Sequence, residues 1–191
     1  MDGVTNKQFR ACRELMPAFW KILEDNPQID RVVIGAHWIG YAGKDGGKGY
    51  LFRNQPMTET PVKEAFLGEL AGMVGKLGLR NIKVYLVQSV PSGPELDPQG
   101  LLKRSLLKIE INSPGILKTG DFIERSGWLR SRIEEIGRIK GAEVIDPVPF
   151  LSERGFCINQ NEAGPIRFDS VHLRPGYVKK NVTYMDPTVS P

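Results

Sequence analysis

Histidine and cysteine are scarce in this sequence, with two of each among 191 residues. His37 and His172 are too few for a His-rich zinc site. Cys12 and Cys157 lie far apart, which excludes a CxxC metal or redox motif. They read either as two buried free thiols or as one long-range disulfide, and the latter would go with an oxidising compartment. No apolar run approaches the roughly 20 residues that span a bilayer. The opening MDGVTNKQFR lacks the apolar stretch of a secretory leader. The chain is therefore expected to carry no export or anchoring device of its own. There is no block of five or six like charges and no basic stripe interleaved with aromatics, so nucleic acid is not an expected partner. The formal charge of +4 is spread along the chain and suits solubility plus a modest attraction to anionic surfaces or polysaccharides. The Gly-rich stretch at 43–49 lacks the GxxxxGK[ST] spacing of a phosphate loop.

What is present is ordinary globular usage, 40% hydrophobic and 25% charged, in a length that suits one domain with one core. Residues 7–24 carry Phe9, Cys12, Leu15, Met16, Phe19, Ile22 and Leu23 at helical spacing, with Pro17 breaking the interior into either a kinked helix or two shorter ones. Residues 31–36 (RVVIGA) are apolar and β-branched without alternation, which predicts a strand buried on both faces. The stretch GKDGGKGYLFRNQPM then reads as a long loop or an extra hairpin. Thr60 as N-cap and Pro61 in the first turn open a helix that runs to Leu77 and ends at Gly78. Residues 81–87 predict a second strand, followed by the proline-punctuated Gln88-Ser89-Val90-Pro91-Ser92-Gly93-Pro94. A short helix is expected within 100–109. A long one is expected over 121–140, with Phe122, Trp128, Leu129, Ile133, Ile136 and Ile139 on one side and Gly141 as cap. Residues 142–146 predict a third strand, and a last helix follows Pro175-Gly176.

This alternation predicts an α/β three-layer sandwich with a mainly parallel sheet. Ligands in such sheets bind beyond the carboxyl ends of the strands, so the loops after residues 36, 88 and 146 and the loop holding His172 are expected on one edge. Three clear strands are few for such a sheet, and a first strand is expected to be missing.

Asp169 and His172 are three residues apart in a loop. A histidine that shuttles protons in acyl transfer needs a carboxylate on one ring nitrogen, to fix its tautomer and stabilise the imidazolium. A loop DxxH brings both groups to one place, and these two are the candidate catalytic residues. Trp38, Tyr41 and Ser89, at the ends of the first and second strands, are the candidate substrate-pocket residues. The alternative for Asp169 and His172 is a turn-capping aspartate and a surface histidine.

The segment from Gly164 to Gly176, GPIRFDSVHLRPG, resembles the last block of the SGNH hydrolase superfamily, with its flavodoxin-like fold. More narrowly, it resembles the SGNH domain fused behind acyltransferase-3 membrane domains in bacterial polysaccharide and lipopolysaccharide O-acyltransferases. Cys157, Gly164, Asp169, His172, Leu173 and Gly176 fall at that block's positions. VVIGAHWIGY at 32–41 is similar to the subfamily's strand ending in Trp-x-x-Tyr, VYLVQSVP at 84–91 to its next strand, and AEVIDP at 142–147 to the strand before the final loop. The resemblance covers about residues 10–185.

The resemblance implies that His172 is base and then acid, with Asp169 orienting it. It implies O-acyl, often acetyl, transfer to a glycan hydroxyl or ester cleavage. The implied partners are a glycan or acylated carbohydrate and an acyltransferase-3 membrane domain, on the periplasmic side of the inner membrane. A Cys12–Cys157 disulfide would fit that compartment. No cofactor or metal is expected in this domain; an acyl donor such as acetyl-CoA is used by the family's membrane domain. The family's first block, Gly-Asp-Ser, supplies the serine nucleophile, and it does not occur here: Gly120-Asp121 is followed by Phe122. Residues 1–191 are thus expected to be a single SGNH-like domain truncated at its N-terminus. In the wider superfamily an Asn of the third block serves the oxyanion hole; Trp38 stands in that neighbourhood, and the donors stay unassigned. His37, where a basic residue often stands, receives no catalytic role. Ser89 lies at the right edge of the sheet, but it lacks the strand-Gly-x-Ser-helix setting of a nucleophile. The alternative function is a catalytically inactive remnant or glycan-binding module of the same fold. A generic nucleotide-binding domain ranks last, because no Gly-rich fingerprint follows a strand.

Overall fold

The computed structural model describes residues 6–43, 46–104, 108–111, 115–162 and 164–189. Three parallel strands form the central sheet in the order β1 (Arg31–Gly35), β4 (Lys83–Val87), β7 (Glu143–Ile145). Val33 pairs with Tyr85, and Val87 pairs with both Gly35 and Ile145, so the three strands end level at their carboxyl edge. Side chains alternate across the sheet. Val32, Ile34, Val84, Leu86 and Val144 face α1 (Asn6–Asp25), α3 (Thr60–Gly78) and α4 (Thr119–Lys140) in the main core. On the other face, Tyr85, Val87 and Ile145 pack with Leu151, Tyr184 and Tyr177 of α5 (Pro175–Asn181). The result is the three-layer α/β arrangement with a parallel sheet that the alternation of elements predicts.

Several expectations are corrected. The β1 strand is not buried on both faces. It pairs only with β4 among the described strands, and Val33 is 42% exposed. An apolar run marks a strand but does not say which faces are covered. Pro17 does not split the first helix, which runs continuously from Asn6 to Asp25 because Phe19, Trp20 and Leu23 pack on the core beyond the proline. The N-cap of α3 is Glu59, one residue before Thr60; the helix ends at Gly78 as expected, and Asn81 at φ +59 turns the chain beyond it. The Ile82 amide bonds back to the Leu77 carbonyl across that turn. Among the described residues of 100–109 there is no α-helix: residues 98–101 form a 3-10 turn, and β5 (Leu102–Arg104) pairs antiparallel with β6 (Ile109–Ile111). On α4, Phe122, Leu129, Ile133 and Ile136 are buried, whereas Trp128 is partly and Ile139 more than half exposed. The helix ends at Gly141 in the left-handed region, as expected.

The glycine-rich stretch after β1 contains the short helix α2 (Trp38–Ala42) and a hairpin of β2 (Leu51–Phe52) and β3 (Gln55–Pro56). Arg53 and Asn54 turn it, both at positive φ. The buried Lys63 ammonium donates to the Gly43 carbonyl at 2.6 Å and ties this stretch to α3. Two further hairpins, β8 (Ser152–Glu153) with β9 (Phe156–Cys157) and β10 (Gln160–Asn161) with β11 (Gly164–Pro165), lead to the loop of His172. Cys157 is a free, buried thiol, and burial pushes its pKa up; the side chain of Cys12, its partner in the expected disulfide, lies outside the described residues. No helix among the described residues is long and apolar enough to cross a membrane.

Candidate active site

The segment 166–174 is a tight loop stapled by its own backbone. The Arg174 amide bonds to the Ile166 carbonyl at 2.8 Å, and the Phe168 amide to the His172 carbonyl at 2.8 Å. An antiparallel bridge joins Arg167 to Leu173 between them. Ile166 and Arg167 are buried as the foot of the loop, while Phe168 and His172 are exposed. The Arg174 side chain adds a bond from Nε to the Arg167 carbonyl.

At the tip, the Asp169 carboxylate organises everything. Its Oδ1 accepts the backbone amides of Val171 at 2.8 Å and His172 at 2.7 Å. Its Oδ2 contacts His172 Nδ1 at 2.8 Å. Three hydrogen bonds favour the ionised form, and the Asp169 pKa falls to about 2, led by the His172 amide and ring. His172 therefore presents its Nε2 away from the carboxylate, as a proton shuttle requires. Its side chain is 74% exposed.

Two cavities flank this loop at the carboxyl edge of the sheet. The first, of about 320 Å³, is lined by Gly35, His37, Val87, Val90, Val171 and His172 among others. The second, of about 430 Å³, takes in His37, Gly47, Ser92, Arg125, Ser170 and Val171. The Gly93 amide donates to the Ser170 carbonyl at 3.2 Å, which docks the proline loop after β4 onto the loop of His172. The loops after β1 and β4 thus gather at the His172 loop. The loop after β7 is drawn instead to α4, where Arg130 grips Asp146 through two bonds of 3.1 and 2.6 Å.

The sequence-predicted pocket residues divide differently. Trp38 is buried, its indole N–H donating to the Val87 carbonyl at 2.7 Å, and it lines a separate apolar cavity with Trp20 and Phe66 on the helical side of the sheet. Tyr41 is exposed and meets Tyr50 edge to face at 4.8 Å. Ser89 is buried, and its hydroxyl accepts the Ile39 amide at 3.2 Å at the start of α2. None of the three lines the cavities beside His172. His37 and Ser92 do, with Ser92 Oγ 3.5 Å from His37 Nε2. Sequence reasoning assigned these two no role. The signal that finds His37 is its place two residues beyond the carboxyl end of a parallel strand.

Among the described residues, no serine hydroxyl is hydrogen-bonded to His172, and no group of three or more His, Cys, Asp or Glu is placed to hold a metal ion.

A family model described as the SGNH domain fused to AT3 domains matches residues 1–179. Two solved structures are similar to the chain. One is a GDSL-like lipase from Bacteroides thetaiotaomicron VPI-5482, at 17% identity over 84% of this chain and 60% of that one, with a TM-score of 0.44. The other is a protein from Bacteroides fragilis NCTC 9343 described as an acylhydrolase, at 16% identity over 84% and 59%, with a TM-score of 0.43. The chain spans about 60% of the length of these two proteins. No curated protein matches it. With residues 1–179 matched, the chain belongs to the SGNH domains of the kind fused to AT3 domains, a fold that supports acyl transfer or ester hydrolysis.

Proposed function

We propose that the chain contributes the acid-histidine half of an acyl-transfer centre acting on O-acylated glycans, with a serine from outside these 191 residues as nucleophile. The observation that carries this reading is the 2.8 Å contact between Asp169 Oδ2 and His172 Nδ1, on a loop beside two cavities at the carboxyl edge of a parallel sheet. The serine oxygen attacks the acyl carbonyl carbon while His172 Nε2 takes the hydroxyl proton. The carbon–oxygen bond to the departing alcohol breaks, and His172 returns the proton to that alcohol. A glycan hydroxyl or water then repeats the step in reverse, which gives transfer or hydrolysis respectively. Asp169 holds the ring and faces the imidazolium that forms. The family's fusion to AT3 domains supports a membrane acyltransferase as the partner domain; the glycan acceptor and a periplasmic setting belong to the proposal.

A second reading is a glycan-binding module without turnover, favoured by the absence of Gly-Asp-Ser from the sequence. Joined to a segment carrying a Gly-Asp-Ser strand, the chain is expected to cleave p-nitrophenyl acetate and to slow by about 10³-fold or more on His172→Ala. Turnover indifferent to His172 would sink the first reading. On the 191 residues alone, a fluorophosphonate probe is expected to label nothing. Robust labelling of a single serine, lost in His172→Ala, would place the nucleophile inside the chain and dismiss the binding-module reading.

A further inference from the structure

We propose that His37 and Ser92 are the pair of donors that hold the oxygen of the acyl carbonyl, opposite the proton-shuttling His172. The inference rests on the acyl-transfer reading above. Negative charge develops on that oxygen as the tetrahedral intermediate forms, and donors fixed in advance stabilise it in a partly dry site.

The obvious side-chain donors at the strand ends are occupied elsewhere. The Trp38 indole N–H is taken by the Val87 carbonyl at 2.7 Å, and the Gln88 amide by Glu134 at 3.0 Å. His37 is differently placed. With Val171, it is common to both cavities, facing His172 in one and Ser92 in the other. Its Nε2 lies 3.5 Å from Ser92 Oγ. Two donors at that separation can both reach one oxygen at about 2.9 Å, the ordinary hydrogen-bond length. An oxygen seated between them lies in the second cavity, against Ser170 and Val171, the two residues that precede His172 in its loop.

The ring is held for this task. A Cβ on Gly40 would stand 2.5 Å from His37 Nδ1, so glycine there leaves the imidazole the space it fills. Ser89 fixes the amide two residues beyond His37, that of Ile39, at 3.2 Å. Ser92 is itself buried. The chemistry of the ring agrees. Burial lowers the His37 pKa, a protonated His172 lowers it further, and Asp169 raises it only in part. His37 thus stays a neutral imidazole, which can donate a hydrogen bond and does not compete with His172 as the base.

The test uses the 191-residue chain, where no turnover is needed. The probe is a methyl glucoside esterified with methylphosphonate, a tetrahedral monoanion resembling the intermediate. The comparison ligand is the matching acetate ester, and inorganic phosphate is the competitor. Binding is followed by calorimetry and by the ring nitrogen NMR signals of both histidines. The phosphonate is expected to bind tenfold or more tightly than the acetate ester, and its binding to shift the His37 ring signals. His37→Ala is expected to weaken phosphonate binding by about tenfold or more, Ser92→Ala by less, and His37→Gln, which keeps a donor, by no more than about threefold. Equal binding by wild type and His37→Ala, no binding by wild type, or displacement by phosphate at the same concentration as the phosphonate would each overturn the assignment. If His37→Ala fails to fold, His37→Gln and the wild-type ring shifts decide. The p-nitrophenyl acetate test of His172 is independent, so acyl transfer can survive while this donor pair fails.

Discussion

His172 is held by a carboxylate three residues away, on a loop closed by its own backbone, and three-quarters of its side chain is in solvent. His37 is half-buried at the end of a strand. Its nearest polar partner, Ser92, is 55 residues distant, and the amide of Ile39 beside it is fixed by Ser89 across 50 residues. One histidine is positioned locally and the other by the tertiary fold. A local device needs only its loop to form. A tertiary one needs the sheet, α2 and the proline loop in register together.

The sharpest way to break the local side is Asp169→Asn. It keeps the shape but removes the negative charge and one acceptor geometry. Acyl transfer in the serine-bearing protein is expected to fall about 10³- to 10⁴-fold. In the chain alone, ring nitrogen NMR should show His172 losing its single tautomer. An unchanged tautomer would mean that the backbone loop, not the carboxylate, orients the ring.

The tertiary side should break next, and from a distance. Leu86 is fully buried in β4, at the centre of the sheet. Leu86→Ala is expected to cost about 2–5 kcal/mol in urea unfolding, through lost burial and the cavity left behind. In mild urea, the His37 signals of this variant should change well before the Asp169–His172 contact is lost. Simultaneous loss would erase the distinction between the two histidines.

Ser89→Ala is a smaller and more selective change. It removes the acceptor of the Ile39 amide and is expected to cost about 1 kcal/mol. Amide shifts should move around 37–42 and stay still at 166–174.

Acid sharpens the comparison with least disturbance. The Asp169 pKa is lowered from an ordinary carboxylate value to about 2, so whatever its ionised form contributes is fully present above about pH 4. That contribution is lost as pH falls through about 2. A carboxyl NMR titration with a midpoint near 4 would show that the three hydrogen bonds are not held in solution. His37 should titrate below the usual histidine range, and His172→Ala should raise its midpoint by removing a like charge.

This division also explains what was legible in the sequence. Asp169 and His172 could be read directly, because three residues of loop are enough to join them. The three strands, the three long helices and the parallel sheet were legible too, since each strand or helix is a continuous apolar or periodic run. The coverage of β1 was not: Val33 is exposed because of what packs elsewhere, not because of its neighbours in sequence. Trp38 and Ser89 had the right location along the chain but the wrong direction. The side chain of the residue after a strand turns on one backbone angle, and here Trp38 goes into the core while His37 goes to the cavity. The pairing at 102–104 with 109–111 was hidden because three-residue strands leave no periodicity to find.

The self-closed loop at 166–174 has a further consequence. Much of the difficulty in assembling a proton-transfer chain is orientational: each added partner must surrender rotation and translation before it helps. Here the imidazole and its carboxylate have already surrendered theirs when the loop folds, whatever stands opposite. A hydroxyl arriving from any direction that reaches Nε2 meets a reaction partner with its freedom already spent, so only the newcomer has to be aligned.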